Sequence, residues 1–192
     1  AILLDQHFNE KELKLIFSFE AFRTKVRSII QTSTKKRRIA GTFAIEILGK
    51  RLLSGPMTFI DSWQRCKMGM QEEEVAEDND VVVAGNSIKE DLSDDRETQE
   101  RSSSAATVIG SWLKAFVDSV QGEIEEIDKA VTGLSVDLNK IIVQQNPASD
   151  ARFKALLSLI EKLLLVNGRW SNDERLVVFT EFIGQPGIRV RT

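Results

Sequence analysis

Nine apolar residues, Leu113, Val117, Val120, Ile124, Ile127, Val131, Leu134, Leu138 and Ile141, recur at spacings that alternate between four and three. That is a heptad seam held for about four repeats, an apolar stripe down one side of an α-helix. The pattern predicts a helix over 106–144, roughly 55–60 Å long at about 1.5 Å per residue. Gly122 and Gly133 lie off the seam, where each weakens a helix by about 1 kcal/mol relative to Ala. A stripe of this length needs a partner along it. Either the apolar face of residues 10–53 packs on it within the chain, or a second copy does.

The flanking segments also read as helix. Over 10–31, Leu15, Phe19, Phe22, Val26 and Ile29 fall at helical period, with Asn9 as N-cap and Glu12 in the capping-box position. A basic connection, "TSTKKRR" (32–38), leads to a helix over 36–53 expected to turn Ile39, Phe43, Ile47, Leu48 and Leu52 inward. "SGP" (54–56) ends it, and Pro56 suits the first position of a third, shorter helix bearing Phe59, Ile60 and Trp63. After the long seam, "NPASD" (146–150) is a break, with Ser149 or Asp150 as the next cap. A further helix is expected to bury Phe153, Leu156, Leu157, Ile160, Leu163 and Leu164, with Asn167-Gly168 as its stop.

Between these parts, residues 69–104 are acidic, rich in Ser, Asp and Glu, and without sustained period; Val81–Val83 alone suggests a short strand. Such a segment buries too little to offset its ordering entropy and reads as a mobile insertion. Charge is segregated around it. Residues 1–67 carry thirteen Lys/Arg against six Asp/Glu, and residues 71–101 carry three against twelve. The basic part suits contact with phosphate, or is simply a solvated surface. No run reaches the eighteen or so apolar residues of a membrane span, and the start lacks a signal-peptide pattern. A single cysteine, Cys66, forms no internal disulfide and fits a reducing cytoplasm.

Catalytic patterns are sparse. "GKR" (49–51) has Arg where a phosphate-binding loop needs Ser or Thr, and Gly41 lies too far upstream. "DNDVVVAG" (78–85) puts Val82 at the fifth position of a calcium loop and its glycine late. His7 is the only histidine and Cys66 is expected half-buried in a helix, which leaves no material for a His-based metal cluster or a Ser–His–Asp triad. The positive lead is a set of cations, Lys35, Lys36, Arg37, Arg38, Lys50, Arg51, Arg65 and Lys67, with no aromatic platform among them. Residues of this kind contact the phosphate backbone rather than bases.

Close to the end, "DERLVVFTEF" (173–182) breaks the helical pattern: Leu176–Phe179 reads as a strand buried on both faces of a parallel sheet. Its sheet neighbours would need crossovers of a dozen or more residues, and ten residues follow Phe182. Several blocks, in order, resemble one family. "HFNEKELKLIFSFEAF" followed by "FAIEILGKRLLSGPMTFIDSW" is similar to the stretch after the first motor lobe of prokaryotic Swi/Snf-type superfamily-two helicases. "EIEEIDKAV" and "DARFKALLSLIEKLLLVNGRWSNDERLVVFTEF" resemble the entry to the second lobe, with members of phage-defence systems nearer than the RNA-polymerase-associated ATPases.

The resemblance implies a mainly α fragment: a helical region after lobe one (1–68), the acidic insertion (69–104), a long helical region (105–168), and the truncated start of a RecA-like α/β lobe (169–192). It implies a parent that couples ATP and Mg²⁺ to movement on double-stranded DNA, with the other motor lobes and a defence-system or polymerase protein as partners. The phosphate loop, the Mg²⁺-binding acids and the arginine fingers of that family have no counterpart in this sequence, so the piece is expected to be non-catalytic alone. Lys50 and Arg51 match its "KR" and Thr180 and Glu181 its "FTE", which adds Thr180 to the basic residues as a candidate nucleic-acid contact. After Phe182 the tail "IGQPGIRVRT", with Gly184, Pro186 and Gly187, departs from the family's helical continuation. The other reading is a stand-alone helical interaction module whose seam helix self-associates.

Overall fold

The computed structural model describes residues 9–88, 95–134, 151–166 and 169–170, and these are mainly helical. Helix α1 spans Glu10–Gln31, α2 Lys35–Ser54, α3 Pro56–Gln71, α4 Asp78–Ser87, α5 Asp95–Leu113, α6 Val117–Gly133 and α7 Ala151–Leu164. A 3₁₀ turn, Lys114–Phe116, joins α5 to α6. Two short strands, β1 (Leu165–Val166) and β2 (Arg169–Trp170), pair antiparallel. The family-type strand at 176–179, His7, Leu138, Ile141, Ser149 and Asp150 lie outside the described residues.

The first three helices begin and end where local chemistry places them. Asn9 accepts from the Glu12 amide at 3.0 Å while the Glu12 carboxylate accepts from the Asn9 amide at 2.8 Å, a complete capping box. Thr34 caps α2. Gly55, at φ 158°, turns the chain out of α2, and Pro56 opens α3.

The core forms where α1, α2, α3, α5 and α6 converge. Phe19, Phe22, Phe59 and Trp63 are fully buried, and their rings join α1 to α3. Phe19 meets Phe59 edge-on at 5.3 Å and Phe22 meets Trp63 at 5.5 Å, the tilted arrangement that aromatic quadrupoles favour. The Trp63 indole N–H donates to Asp128 of α6 at 2.9 Å, so the ring's polar edge is satisfied without leaving the core.

The heptad seam is divided. Instead of one helix over 106–144, the chain bends at the 3₁₀ turn, where Phe116 adopts φ −142°, ψ 25° and its ring stands edge-on to Trp112 at 4.8 Å. Upstream of the bend α5 packs on α3; downstream α6 packs on α1. Val120, Ile124, Ile127, Val131 and Leu134 are buried there, so the partner of the described seam is the intramolecular one. A heptad spacing reports phase, and one 3₁₀ turn barely disturbs phase while changing direction.

The acidic segment also differs from expectation. Val81–Val83 is helical, within α4, and Val81 is completely buried as α4 lies against α2 and α5. The connector before it is fastened by buried Ser111, whose hydroxyl donates to the Glu74 carbonyl at 2.7 Å and accepts from the Ala76 amide at 2.9 Å. In α2 the inward face is rotated from the expected one. Ala40, Ala44, Ile45, Leu48 and Leu52 are buried, Phe43 and Ile47 are half-buried, and Ile39 is exposed. The alanines are weak as hydrophobic signals, yet they are buried. In α7 none of the expected buried residues is fully buried, and Leu157 and Leu163 are exposed.

Gly122 sits mid-helix in α6 with open space where a Cβ would project. Gly122→Ala is therefore expected to stabilise the protein by about 0.5–1 kcal/mol, by helix propensity and a less flexible unfolded chain. Urea titration reads this directly; a destabilised variant would mean that the glycine is needed for close approach after all.

Candidate functional site

Four consecutive cations, Lys35 to Arg38, occupy the first turn of α2, which contains no acidic residue. That is the positive end of the helix dipole, where each cation costs about 0.3–1 kcal/mol. Part of this cost is offset within the molecule. The first turn of α4 is acidic, with Asp78 and Asp80, and α4 lies against α2. Asp78 receives the Arg37 guanidinium at 3.4 Å and the buried Trp112 indole N–H at 2.8 Å. The opposite charges that are segregated in sequence thus meet at this contact.

Lys35, Lys36 and Arg38 remain exposed at this end of α2. Lys50 is also exposed but lies fifteen residues along the same helix, roughly 22 Å away at about 1.5 Å per residue. Arg51 does not face solvent: it is 7% exposed, between α2 and α3, and its Nε donates to Ser62 Oγ at 2.9 Å. Burial pulls the Arg51 pKa below its ordinary value, and the nearby Asp61 carboxylate opposes that shift. Arg65 is exposed on α3, whereas Lys67 pairs with Asp128, the same carboxylate that accepts from Trp63. Thr180 and Glu181 lie outside the described residues. The basic candidates therefore divide into an exposed group at the start of α2, isolated exposed residues at Lys50 and Arg65, and three that hold helices together.

Cys66 is fully buried rather than half-buried, and its surroundings push the thiol pKa up, away from the thiolate a nucleophile requires. A shallow, open depression between α1 and α6 is lined by Glu20, Ala21, Thr24, Lys25, Ser28 and Glu123, a mixture of both charges. Among the described residues, no group of three or more His, Cys, Asp or Glu is placed to hold a metal ion. No described helix is long and apolar enough to cross a membrane.

Asp78 and Asp128, which organise the indole and cation contacts, were hard to single out from sequence. Asp128 carried one signal: it directly follows Ile127, on the shoulder of the seam, where a carboxylate is half-covered by a packed neighbour. Asp78 suggested only an incomplete calcium loop.

Fold and charge together define, among the described residues, a mainly helical packing module with a cationic corner and an amphipathic helix extending from it. In comparisons with known proteins, no family model matches the chain, and neither a curated protein nor a solved structure does.

Proposed function

We propose that this chain is the helical connection between the two motor lobes of a Swi/Snf-type DNA-dependent ATPase, organising the motor rather than carrying its chemistry. The observation that carries the reading is the contrast between α6 and α7. The α6 seam is buried on α1, while α7, which leads toward "DERLVVFTEF", keeps Leu157 and Leu163 exposed. A helix with an apolar side left partly in water suits a junction that docks on further structure. The "KRLLSGP" block supports the same reading as a shaped corner: Arg51 and Leu52 are buried, and Gly55-Pro56 redirects the chain. In the parent, ATP and Mg²⁺ are bound by other lobes, and Lys35, Lys36 and Arg38 are the residues best exposed for the phosphates of double-stranded DNA.

Two measurements test this reading. The chain alone should release no phosphate from ATP above background, with or without duplex DNA; clear turnover overturns the assignment. The endogenous protein containing "DERLVVFTEF" should have an intact mass many tens of kilodaltons above the 21.6 kDa of this chain. A mass near 21.6 kDa favours the second reading, a helical interaction module. The exposed leucines of α7 also suit that module, and a stable dimer in sedimentation would support it.

A further inference from the structure

Glu12 is a carboxylate only 1% exposed, and both of its oxygens are engaged. Oε2 accepts from the Asn9 amide at 2.8 Å and completes the cap of α1. Oε1 accepts, also at 2.8 Å, from the backbone amide of Ala151, the first residue of α7 and 139 positions away in sequence. The first turn of α7 contains no acidic residue of its own. Glu12 therefore supplies negative charge to the start of α7, where exposed amides and the helix dipole favour it. The next residue completes a second attachment: Arg152 Nη1 donates to the Leu53 carbonyl at 2.8 Å, in the last turn of α2. A Cβ on Gly55 would stand 2.8 Å from an Arg152 guanidinium nitrogen, so the side chain lies over the α2–α3 corner.

We propose that Glu12 and Arg152 form a clasp that seats the first turn of α7 on the junction of α1, α2 and α3, so that the bundle aims α7 as a lever. Two hydrogen bonds tie the first two residues of α7 to the earlier helices. Beyond them no residue of α7 is fully buried, and Leu157 and Leu163 are exposed. A helix held at one end transmits the orientation of its base to whatever follows, and opening the clasp frees it without unfolding the core. The clasp stands on these contacts and does not require the motor reading; within that reading it is where the bundle would set the angle of the following lobe.

The test uses spin labels on the full chain, at Lys25→Cys in α1 and Lys162→Cys in α7, both exposed positions. Native Cys66 is buried and its thiol pKa raised, so it resists labelling. A single narrow distance distribution is expected in the otherwise unaltered chain. Arg152→Ala should broaden it, and hydrogen exchange at α7 amides should rise roughly tenfold or more, the scale of losing a bond to a charged donor. Exchange in α1 and α3 should stay unchanged. Glu12→Gln, whose single carbonyl oxygen can keep the capping box of α1 while its NH2 cannot accept from Ala151, removes both the charge and the hydrogen bond from α7 and should produce a broadening of the same kind. A distribution already broad without Arg152→Ala, or unmoved by it, overturns the clasp. So does an equal rise in exchange across the whole bundle, which would make α7 an integral part of the core.

Discussion

Gly110→Ala should lower the thermal midpoint by roughly 6–12 °C, corresponding to about 3 kcal/mol lost at the 2–4 °C per kcal/mol typical of a chain of this size. A Cβ at this position would stand 1.8 Å from the Cys66 carbonyl oxygen and 2.6 Å from its carbon. Gly69 faces α5 in the reciprocal way, with the Thr107 carbonyl oxygen 2.0 Å from where its Cβ would be. Here α3 and α5 meet backbone to backbone. The atoms in the way are main chain, so no rotamer change makes room and the helices must separate. Separation uncovers Trp112, Ile109 and Cys66, all fully buried. Alanine gains about 1 kcal/mol in helix propensity over glycine, which the clash exceeds. The comparison with Gly122→Ala is the control, since the same substitution there carries the opposite expected sign. A Gly110→Ala protein as stable as the unaltered chain would mean that α3 and α5 do not meet at these residues.

Trp63→Ala is expected to cost about 3–5 kcal/mol, the range for truncating a large buried aromatic. The side chain is completely buried, stacks on Phe59 at 5.8 Å and meets Phe22 edge-on. Its loss opens a cavity between α1, α3 and α6. Trp63→Phe separates packing from hydrogen bonding. Phenylalanine fills much of the space but leaves Asp128 without the indole donor, while the Lys67 ammonium remains on the same carboxylate. The expected cost is about 1–2 kcal/mol, near that of one hydrogen bond. Urea titrations of the two variants, compared at equal slope, test the division. Equal losses would mean that the Trp63–Asp128 bond, rather than ring packing, is the main attachment of α3 to α6.

Where a residue's neighbours in sequence are also its neighbours in space, the helices were legible. The α1 capping box, Pro56 at the start of α3 and the burial of Phe59, Ile60 and Trp63 all follow from patterns within one or two turns. Where packing depends on small residues, the pattern was silent. Gly69 and Gly110 contribute little to a hydrophobic count, yet they let α3 and α5 meet backbone to backbone, and Ala40 and Ala44, equally weak signals, are buried. Val81 was misread for another reason: a run of three valines among acidic neighbours suggests a short strand, and its burial in a helix depends on α2 and α5 covering it.

The candidate site was legible as a list of cations and not as an arrangement. Composition could not distinguish exposed Lys35, Lys36 and Arg38 from Arg51 and Lys67, which are committed to Ser62 and Asp128. Sequence adjacency put Lys50 and Arg51 together, although one is exposed and the other buried. Residues next to each other on a helix point about 100° apart, so a run of cations divides between solvent and core.

Taken alone, the sequence determined the mainly helical character, the start of the first three helices and the stop of the first two, and the phase of the seam along α6. These depend on period and on caps, which are local quantities. Tertiary structure alone decided that the seam bends at Phe116, that α6 takes α1 as its partner, and that the acidic segment returns to the basic one through Asp78 and Arg37. It also decided that Glu12, part of the capping box of α1, accepts from the first amide of α7, 139 residues away in sequence. Each of these depends on which surfaces meet, and a one-dimensional pattern records that a face is apolar or charged without recording what lies against it.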